Sequence, residues 1–379
     1  MKIAITGMGS VSALGSSQAE IKQAYTHQKT MLRTENGLAM GKLAESSRTE
    51  VETLLKNEPS YQVFDPSVLY AILAARKAVA YADWQSAAFG INIGSSRGAT
   101  SLFETHHAYF MEHNKCKTLA SPTTTLGNIA SQVGQDLKAD GFSFSHSITC
   151  STALHALING VAWLASGMEK RFIVGGSEAP LTPFTFAQAK ALKIYSPFTD
   201  VFPCRAMDAS KTHNTMVLGE GACVFCMEKE AESQPLAFIT GVGYATEKIT
   251  HSVSLSADGE CLQKSMRMAL GETSPSEIDI IVTHTPGTIK GDLAELTAIK
   301  QVFSEKMPAL TNNKWKTGHT FGASGALSLE MAILMLQNDE FYGVPYLNNT
   351  KTPQKIHKIL VNAVGFGGNA ASVLIEKPF

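Results

Sequence analysis

The sequence predicts an α/β protein built by duplication, layered α-β-α-β-α, with two helices buried between sheets. Three observations lead there. Strand-like and helix-like segments alternate along all 379 residues, the pattern of an α/β chain. A polar break at 230–235 separates two stretches in which that pattern starts afresh. Each half carries a small-residue helix in its middle, 150–167 and 322–336, and then a strand followed by Gly-Gly, read as a turn at Gly175-Gly176 and at Gly367-Gly368. The expected units are 1–231 and 236–379.

Taken in order, residues 2–7 are extended and 18–27 helical. Residues 66–82 form a helix with apolar Val68, Leu69, Ile72 and Leu73 on one face. Residues 89–93 read as a buried strand, and Leu126, Ile129, Ala130 and Val133 mark another helix face. The run 142–145 is extended and leads to Cys150 and its helix. A strand at 171–174 follows, then a Pro-containing stretch at 182–214 read as loop-rich, then a strand at 222–227. In the second half, 237–244 is extended, 259–270 helical, 278–283 a buried strand, and 292–303 and 322–336 helices. Residues 359–364 and 371–375 are strands.

Composition excludes several functions. A net charge of −1 leaves no electrostatic footprint for nucleic acid. The longest apolar stretch, 153–164, is interrupted by His155 and Asn159 and is too short to span a bilayer. The first residues read as a strand, not as a signal peptide. Six scattered cysteines do not suggest a disulfide framework, so a reducing, cytoplasmic setting is expected.

Three residues stand out chemically. Cys150 lies where an extended run hands over to a helix. The first N–H groups of that helix lack internal partners, and its dipole favours a thiolate. His284 follows the apolar run Ile280-Ile281-Val282 and opens His284-Thr285-Pro286-Gly287-Thr288. His319 lies between Lys314 and Gly325 in a second turn rich in Gly and Thr, where functional groups tend to be displayed.

Together, Thr149-Cys150-Ser151-Thr152, the His284 to Thr288 motif, the run from Lys314 to Gly325 and Gly365-Phe366-Gly367-Gly368 resemble the elongating beta-ketoacyl-acyl-carrier-protein synthases. The resemblance begins at Ile5-Thr6-Gly7-Met8-Gly9 and covers essentially the whole chain. It implies the thiolase-like duplicated fold. It also implies a decarboxylating Claisen condensation between an acyl group on Cys150 and malonyl-acyl-carrier protein. His284 and His319 would serve the malonyl half-reaction. Lys314, Asp292 and Glu295 match supporting positions, with Glu295 an ion-pair candidate for Lys314. Phe366 matches a gating phenylalanine whose backbone N–H, with that of Cys150, would form the oxyanion hole. The implied partners are an acyl carrier protein, malonyl and acyl thioesters, and a second subunit, either a copy of this chain or a related one. No cofactor and no metal are implied.

The chain departs from the family at Pro286 and Val364, at Arg205-Ala206-Met207-Asp208 and Thr212-His213-Asn214-Thr215, and in lacking a basic cluster before residue 66. These departures point to a specialised fatty-acid, polyene or polyketide-like pathway. Two other readings stay open. One is a non-catalytic, chain-length-factor-like subunit, against which the presence of Cys150 argues. The other is a thiolase-type coenzyme A acyltransferase, which would need a second cysteine near the C-terminus, yet none follows Cys261.

Three further features read as packing or surface. Gly7-Met8-Gly9 lacks the third glycine of a dinucleotide fingerprint. Cys223 and Cys226 fall within one strand, where alternation puts them on opposite faces. His106, His107, His113 and Cys116 match no zinc spacing and read as a solvated helix.

Overall fold

The computed structural model describes residues 2–85, 88–231, 234–248, 255–347 and 352–378. Residues 232 and 233 of the polar break lie outside the described residues. The strands are β1 (Ile3–Val11), β2 (Arg33–Glu35), β3 (Leu38–Gly41), β4 (Gly90–Gly94), β5 (Ser143–Phe144), β6 (Arg171–Glu178), β7 (Leu218–Gly219), β8 (Gly221–Glu228), β9 (Ala237–Thr246), β10 (Ile280–Val282), β11 (Ala309–Thr311), β12 (Lys358–Gly365) and β13 (Asn369–Glu376). The helices of the first half are α1 (Gln18–Thr26), α2 (Glu45–Asn57), α3 (Pro66–Ala82), α4 (Thr100–His113), α5 (Ala120–Thr124), α6 (Asn128–Leu137), α7 (Thr152–Ser166) and α8 (Pro183–Ala191). Those of the second are α9 (Glu260–Leu270), α10 (Ile289–Val302), α11 (Lys314–Thr317) and α12 (Ser324–Asn338).

The duplication is written in the strand order. Ten strands form one sheet in the order β11-β10-β12-β13-β9-β1-β8-β6-β4-β5. Within each half, the first strand neighbours the last, followed by the fourth, second and third. The pairings repeat as well: β1–β8 and β8–β6 are antiparallel, and β6–β4 and β4–β5 parallel. In the second half β9–β13 and β13–β12 are antiparallel, and β12–β10 and β10–β11 parallel. The halves join where Ile3, Ala4 and Ile5 pair with β9.

Side-chain alternation builds the layers, because successive residues of a strand face opposite sides. In β8, Cys223, Phe225 and Met227 face inward with α7 and α12, while Val224 and Cys226 face outward with α3. The two cysteines thus lie on opposite faces, each fully buried. In the second half Ile359 and Val361 face the central helices, and Leu360 faces α9. The result is α-β-α-β-α, with α7 and α12 enclosed. Helix α12 is buried from Ser324 to Leu336, which explains a helix apolar all round. No helix among the described residues is long and apolar enough to cross a membrane.

Two readings of the sequence need correction. Gly175-Gly176 is no turn, since β6 runs through it. A Cβ on Gly176 would lie 2.6 Å from the Gly322 carbonyl, so glycine is required there by close approach. Gly367 and Gly368 do make a turn, with φ of +90° and +70°. The stretch read as loop-rich also contains α8. Its start was legible in Thr182-Pro183: the Thr182 hydroxyl accepts the Thr185 N–H, and proline takes the first helical position. Gly7 and Gly9 lie inside β1, where Cβ atoms would meet the carbonyls of Ala78 and Ala74 on α3 at 2.3 and 2.4 Å.

Glu330 sits on α12 with Oε2 unpartnered. Burial lifts its carboxyl to about 7, against an ordinary 4.5, with the charge of Lys77 opposing. The folded state therefore favours the protonated acid. That contribution is fully present below pH 4.5 and is lost as pH rises through 7, a swing of up to about 3 kcal/mol. Glu330→Gln should raise the melting temperature more at pH 8 than at pH 5; an equal gain at both would contradict this origin.

Candidate active site

The turn carrying Cys150 is strained. Thr149 has φ of +47°, unusual for a β-branched residue. Thr152 holds the turn from inside the helix: its Oγ1 donates to the Thr149 carbonyl at 2.6 Å and accepts the Ile148 N–H at 2.9 Å. The Thr149 hydroxyl donates to the Phe366 carbonyl at 3.3 Å. A Cβ on Gly365 would lie 1.7 Å from Thr149 Oγ1 and 3.0 Å from Cys150 N. The β12–β13 turn thus lies directly on the cysteine, and only glycine fits beneath it.

Cys150 is 7% exposed and lines a cavity of about 620 Å³ with His284, His319, Phe321, Val364 and Phe366. The structure brings together Cys150, His284, His319 and Phe366 from the sequence reading. Phe366 is 40% exposed at the cavity wall. Lys314, Asp292 and Glu295 are buried behind the histidine loops.

The imidazoles of His284 and His319 lie 5.3 Å apart and nearly perpendicular. Phe321, with φ of +42°, donates its N–H to His319 Nδ1 at 3.0 Å. An accepting Nδ1 in a neutral ring leaves the proton on Nε2. Burial drives His319 down to about 3, helped by the Lys314 charge. Burial, Lys314 and His319 also hold His284 well below its ordinary value. Both rings are neutral, and each has a proton to donate.

Behind the histidines the expected ion pair is absent. Glu295 instead accepts the N–H groups of His284 and Thr285 at 2.9 and 2.7 Å, and the Asn362 amide at 3.2 Å. Lys314 Nζ donates to the Thr283 carbonyl and Ser328 hydroxyl, both at 3.2 Å. Buried backbone groups need partners, and each charged group spends its hydrogen bonds on the loop rather than on the other. They still feel each other's charge. Burial lowers Lys314 to about 8, and Glu295 opposes this. Asp292 accepts the Gly287 and Met207 N–H groups, both at 2.9 Å, and pairs with Lys211 Nζ at 2.7 Å. It ties the His284 loop to the segment at 207–211.

The cysteine also differs from expectation. Burial pushes its thiol up to about 12, with Glu178 adding and Lys314 opposing. Loss of hydration outweighs the helix terminus, and the resting group is a neutral thiol. Sequence reasoning missed Glu178 altogether. Its Oε1 accepts the N–H groups of Ser96 and Gly322, joining the loop after β4 to the His319 turn. Burial raises it to about 7. An acid at the end of a buried strand, Ser177-Glu178, was the available signal. Lys211 was missed too, because nothing in its exposed-looking surroundings announces a buried partner.

A small cavity holding a thiol under a glycine turn, with two neutral imidazole donors opposite, suits acyl transfer and stabilisation of an enolate oxygen. Sequence comparison agrees with this chemistry. The family model for the beta-ketoacyl synthase N-terminal domain matches residues 1–233, and that for the C-terminal domain matches 236–347. The chain belongs to the beta-ketoacyl synthase family. It is similar to the 3-oxoacyl-[acyl-carrier-protein] synthase 1 of Buchnera aphidicola subsp. Baizongia pistaciae, with 25% identity covering 99% of each chain. The enzyme of the same name from Escherichia coli K12 is 26% identical over 98% of each. Among solved structures, a beta-ketoacyl synthase from Burkholderia phymatum STM815 superposes with a TM-score of 0.86 at 22% identity, over 100% of each chain. The ishigamide ketosynthase/chain length factor superposes at 0.87 and 18% identity, over 100% of this chain and 99% of that one. These two share the fold.

Neutral histidines make a spectroscopic prediction. Nitrogen-15 spectra of the two rings should keep a neutral pattern from pH 5 to 8, with the His319 proton on Nε2. Protonation of either ring with a midpoint inside that range would contradict the assignment.

Proposed function

We infer that this chain catalyses a decarboxylating Claisen condensation on carrier-bound thioesters. Residues 1–231 supply the nucleophile and 236–379 the two histidines. The observation that carries the reading is the shared cavity: Cys150, His284 and His319 line one space with both imidazoles held neutral.

Cys150 Sγ attacks the acyl thioester, its proton leaving with the departing carrier thiol. The backbone N–H groups of Cys150 and Phe366 stabilise the oxyanion. The crowding of Gly365 against Cys150 N supports that pairing. Malonyl-carrier then enters. The Nε2–H of His319 and a ring N–H of His284 bind its thioester carbonyl, so that charge left by departing CO₂ flows onto an oxygen already hydrogen-bonded. The enolate carbon attacks the acyl-cysteine, the C–S bond breaks, and a 3-oxoacyl chain longer by two carbons remains on the carrier. Neutral rings serve this better than charged ones, since an imidazolium would hand its proton to the enolate and quench it. Lys314, Glu295 and Asp292 act as positioning residues through the loops they anchor.

The acyl carrier protein is the proposed donor partner, in a reducing, cytoplasmic setting and a specialised pathway. All six cysteines are free and five are buried, which fits that setting. A second subunit is proposed to pair along β5. That strand ends the sheet, and Phe142 just before it stands 54% exposed, so the edge is open to pairing with another strand.

Cys150→Ser should abolish acyl loading in intact-protein mass spectra while leaving the melting temperature within a few degrees. Unchanged loading would remove Cys150 as nucleophile. His284→Ala and His319→Ala should still load acyl groups but lose malonyl decarboxylation by about 100-fold or more; variants failing only at loading would reverse the roles. Sedimentation equilibrium should return twice the chain mass, or the mass of a pair with a related subunit if one is supplied. A lone monomer under both conditions would contradict the pairing.

A further inference from the structure

Arg97 is a cation in the catalytic cavity without an anion. It lines the same space as Cys150, His319 and Phe321. One terminal nitrogen donates to the Gln188 side-chain oxygen at 2.6 Å. Its Nε is buried and has no partner. The guanidinium stands 5.7 Å from the Phe321 ring, which also meets the His319 ring at 5.4 Å. Among the described residues, none of those lining the cavity is an acid. Glu178 feels the charge of Arg97 but makes no ion pair with it: Oε1 accepts the N–H groups of Ser96 and Gly322, and Oε2 is buried without a partner. Lys290, the other cation at the cavity, is exposed and served by solvent.

Arg97 is half-buried, and its Nε–H, cut off from water without a partner, is costly unless something pairs with it. Here the rest of the wall is mostly apolar, including Leu192, Ile194, Met216 and Ile289. The missing partner is therefore a ligand group. We propose that Arg97, braced by Gln188, selects an acyl group bearing an oxygen acceptor along its chain, an oxo group or a carboxylate, over a plain hydrocarbon chain. This rests on the acyl-transfer reading of the same cavity.

The malonyl carboxylate is the poorer candidate. A salt bridge to it would stabilise the very charge that must depart as CO₂, opposing the step. An oxygen on the acyl chain keeps its interaction through the whole reaction and fixes where the chain lies. Gln188 holds one end of the fork, so the unused Nε–H has a set direction, the kind of preorganised donor that gives selectivity.

The test reads binding, so it stands apart from turnover. Octanoyl, 3-oxo-octanoyl, 5-oxo-octanoyl, 7-carboxyheptanoyl and malonyl amides of aminopantetheine are titrated by calorimetry into wild-type protein, Arg97→Met and Arg97→Lys. At least one oxygenated chain should bind wild type about 10- to 100-fold more tightly than octanoyl. Arg97→Met should erase that gain while octanoyl binds as well or better, and Arg97→Lys should keep part of it. Equal affinity for all eight-carbon chains in wild type would overturn the proposal. So would a uniform loss in both variants, which marks a structural role, or a loss confined to the malonyl amide. Selective binding without any condensation would refute the condensing reading and leave this one standing.

Discussion

Helices α7 and α12 lie between the two half-sheets, packed on each other and, at the turn before α12, on β6, with glycine at the tightest points. A Cβ on Gly176 would meet the Gly322 carbonyl at 2.6 Å and Ala153 Cβ at 3.0 Å, and one on Gly325 would meet Leu154 Cγ at 2.8 Å. A side chain at Gly176 would push α7 and the turn before α12 off β6, and one at Gly325 would press α12 off α7. Their N-terminal turns carry Cys150 and follow His319. This packing therefore sets the distance between the thiol supplied by one half and the imidazoles supplied by the other. The β12–β13 turn then closes over the cysteine because Gly365 offers it no side chain to strike.

Enclosing the two helices has an electrical consequence. The same loss of water lifts the Cys150 thiol, lowers both imidazoles and raises Glu178, Glu295 and Glu330. At rest the reacting groups carry little charge. Catalysis then depends on fixed donors that meet charge as it develops, which need little reorganisation in the transition state. Apart from Arg97 and Lys290 on the cavity wall, charge is kept one layer back. Lys314 and Glu295 are buried without touching each other and spend their bonds on the loop that carries His284. The arrangement also has a cost in stability, since carboxyls such as Glu330 gain nothing from burial above neutral pH.

Much of this was legible in the chain. The unbroken apolar run Ile280-Ile281-Val282 and the long helix at 66–82 announced layers, and the interrupted apolar run at 153–164 announced an enclosed helix. Local motifs found Cys150, His284, His319 and Phe366, because thiol, imidazole and glycine turns are chemically conspicuous. What local reading missed was set by contacts between distant segments. Gly175-Gly176 looks like a turn until the Gly322 turn is laid against it. Glu295 and Lys314 look like an ion pair until the backbone groups that need them are counted. Lys211 shows no local pattern, and Glu178 only its place at the end of a buried strand, because their partners lie 81 and 144 residues away. The thiolate expected at Cys150 failed for a similar reason, since depth of burial is a property of the whole fold.

The central claim is that cysteine and histidines act in sequence on two thioesters, the second losing CO₂ as it reacts. The most direct measurement uses malonyl-carrier labelled with carbon-13 in its free carboxyl, added to protein already acylated on Cys150. The account predicts that label leaves entirely as CO₂, one for each acyl group lost from Cys150, and that the product on the carrier is an unlabelled 3-oxoacyl chain two carbons longer. Label retained in the product, or CO₂ released while the acyl group stays on Cys150, would contradict it.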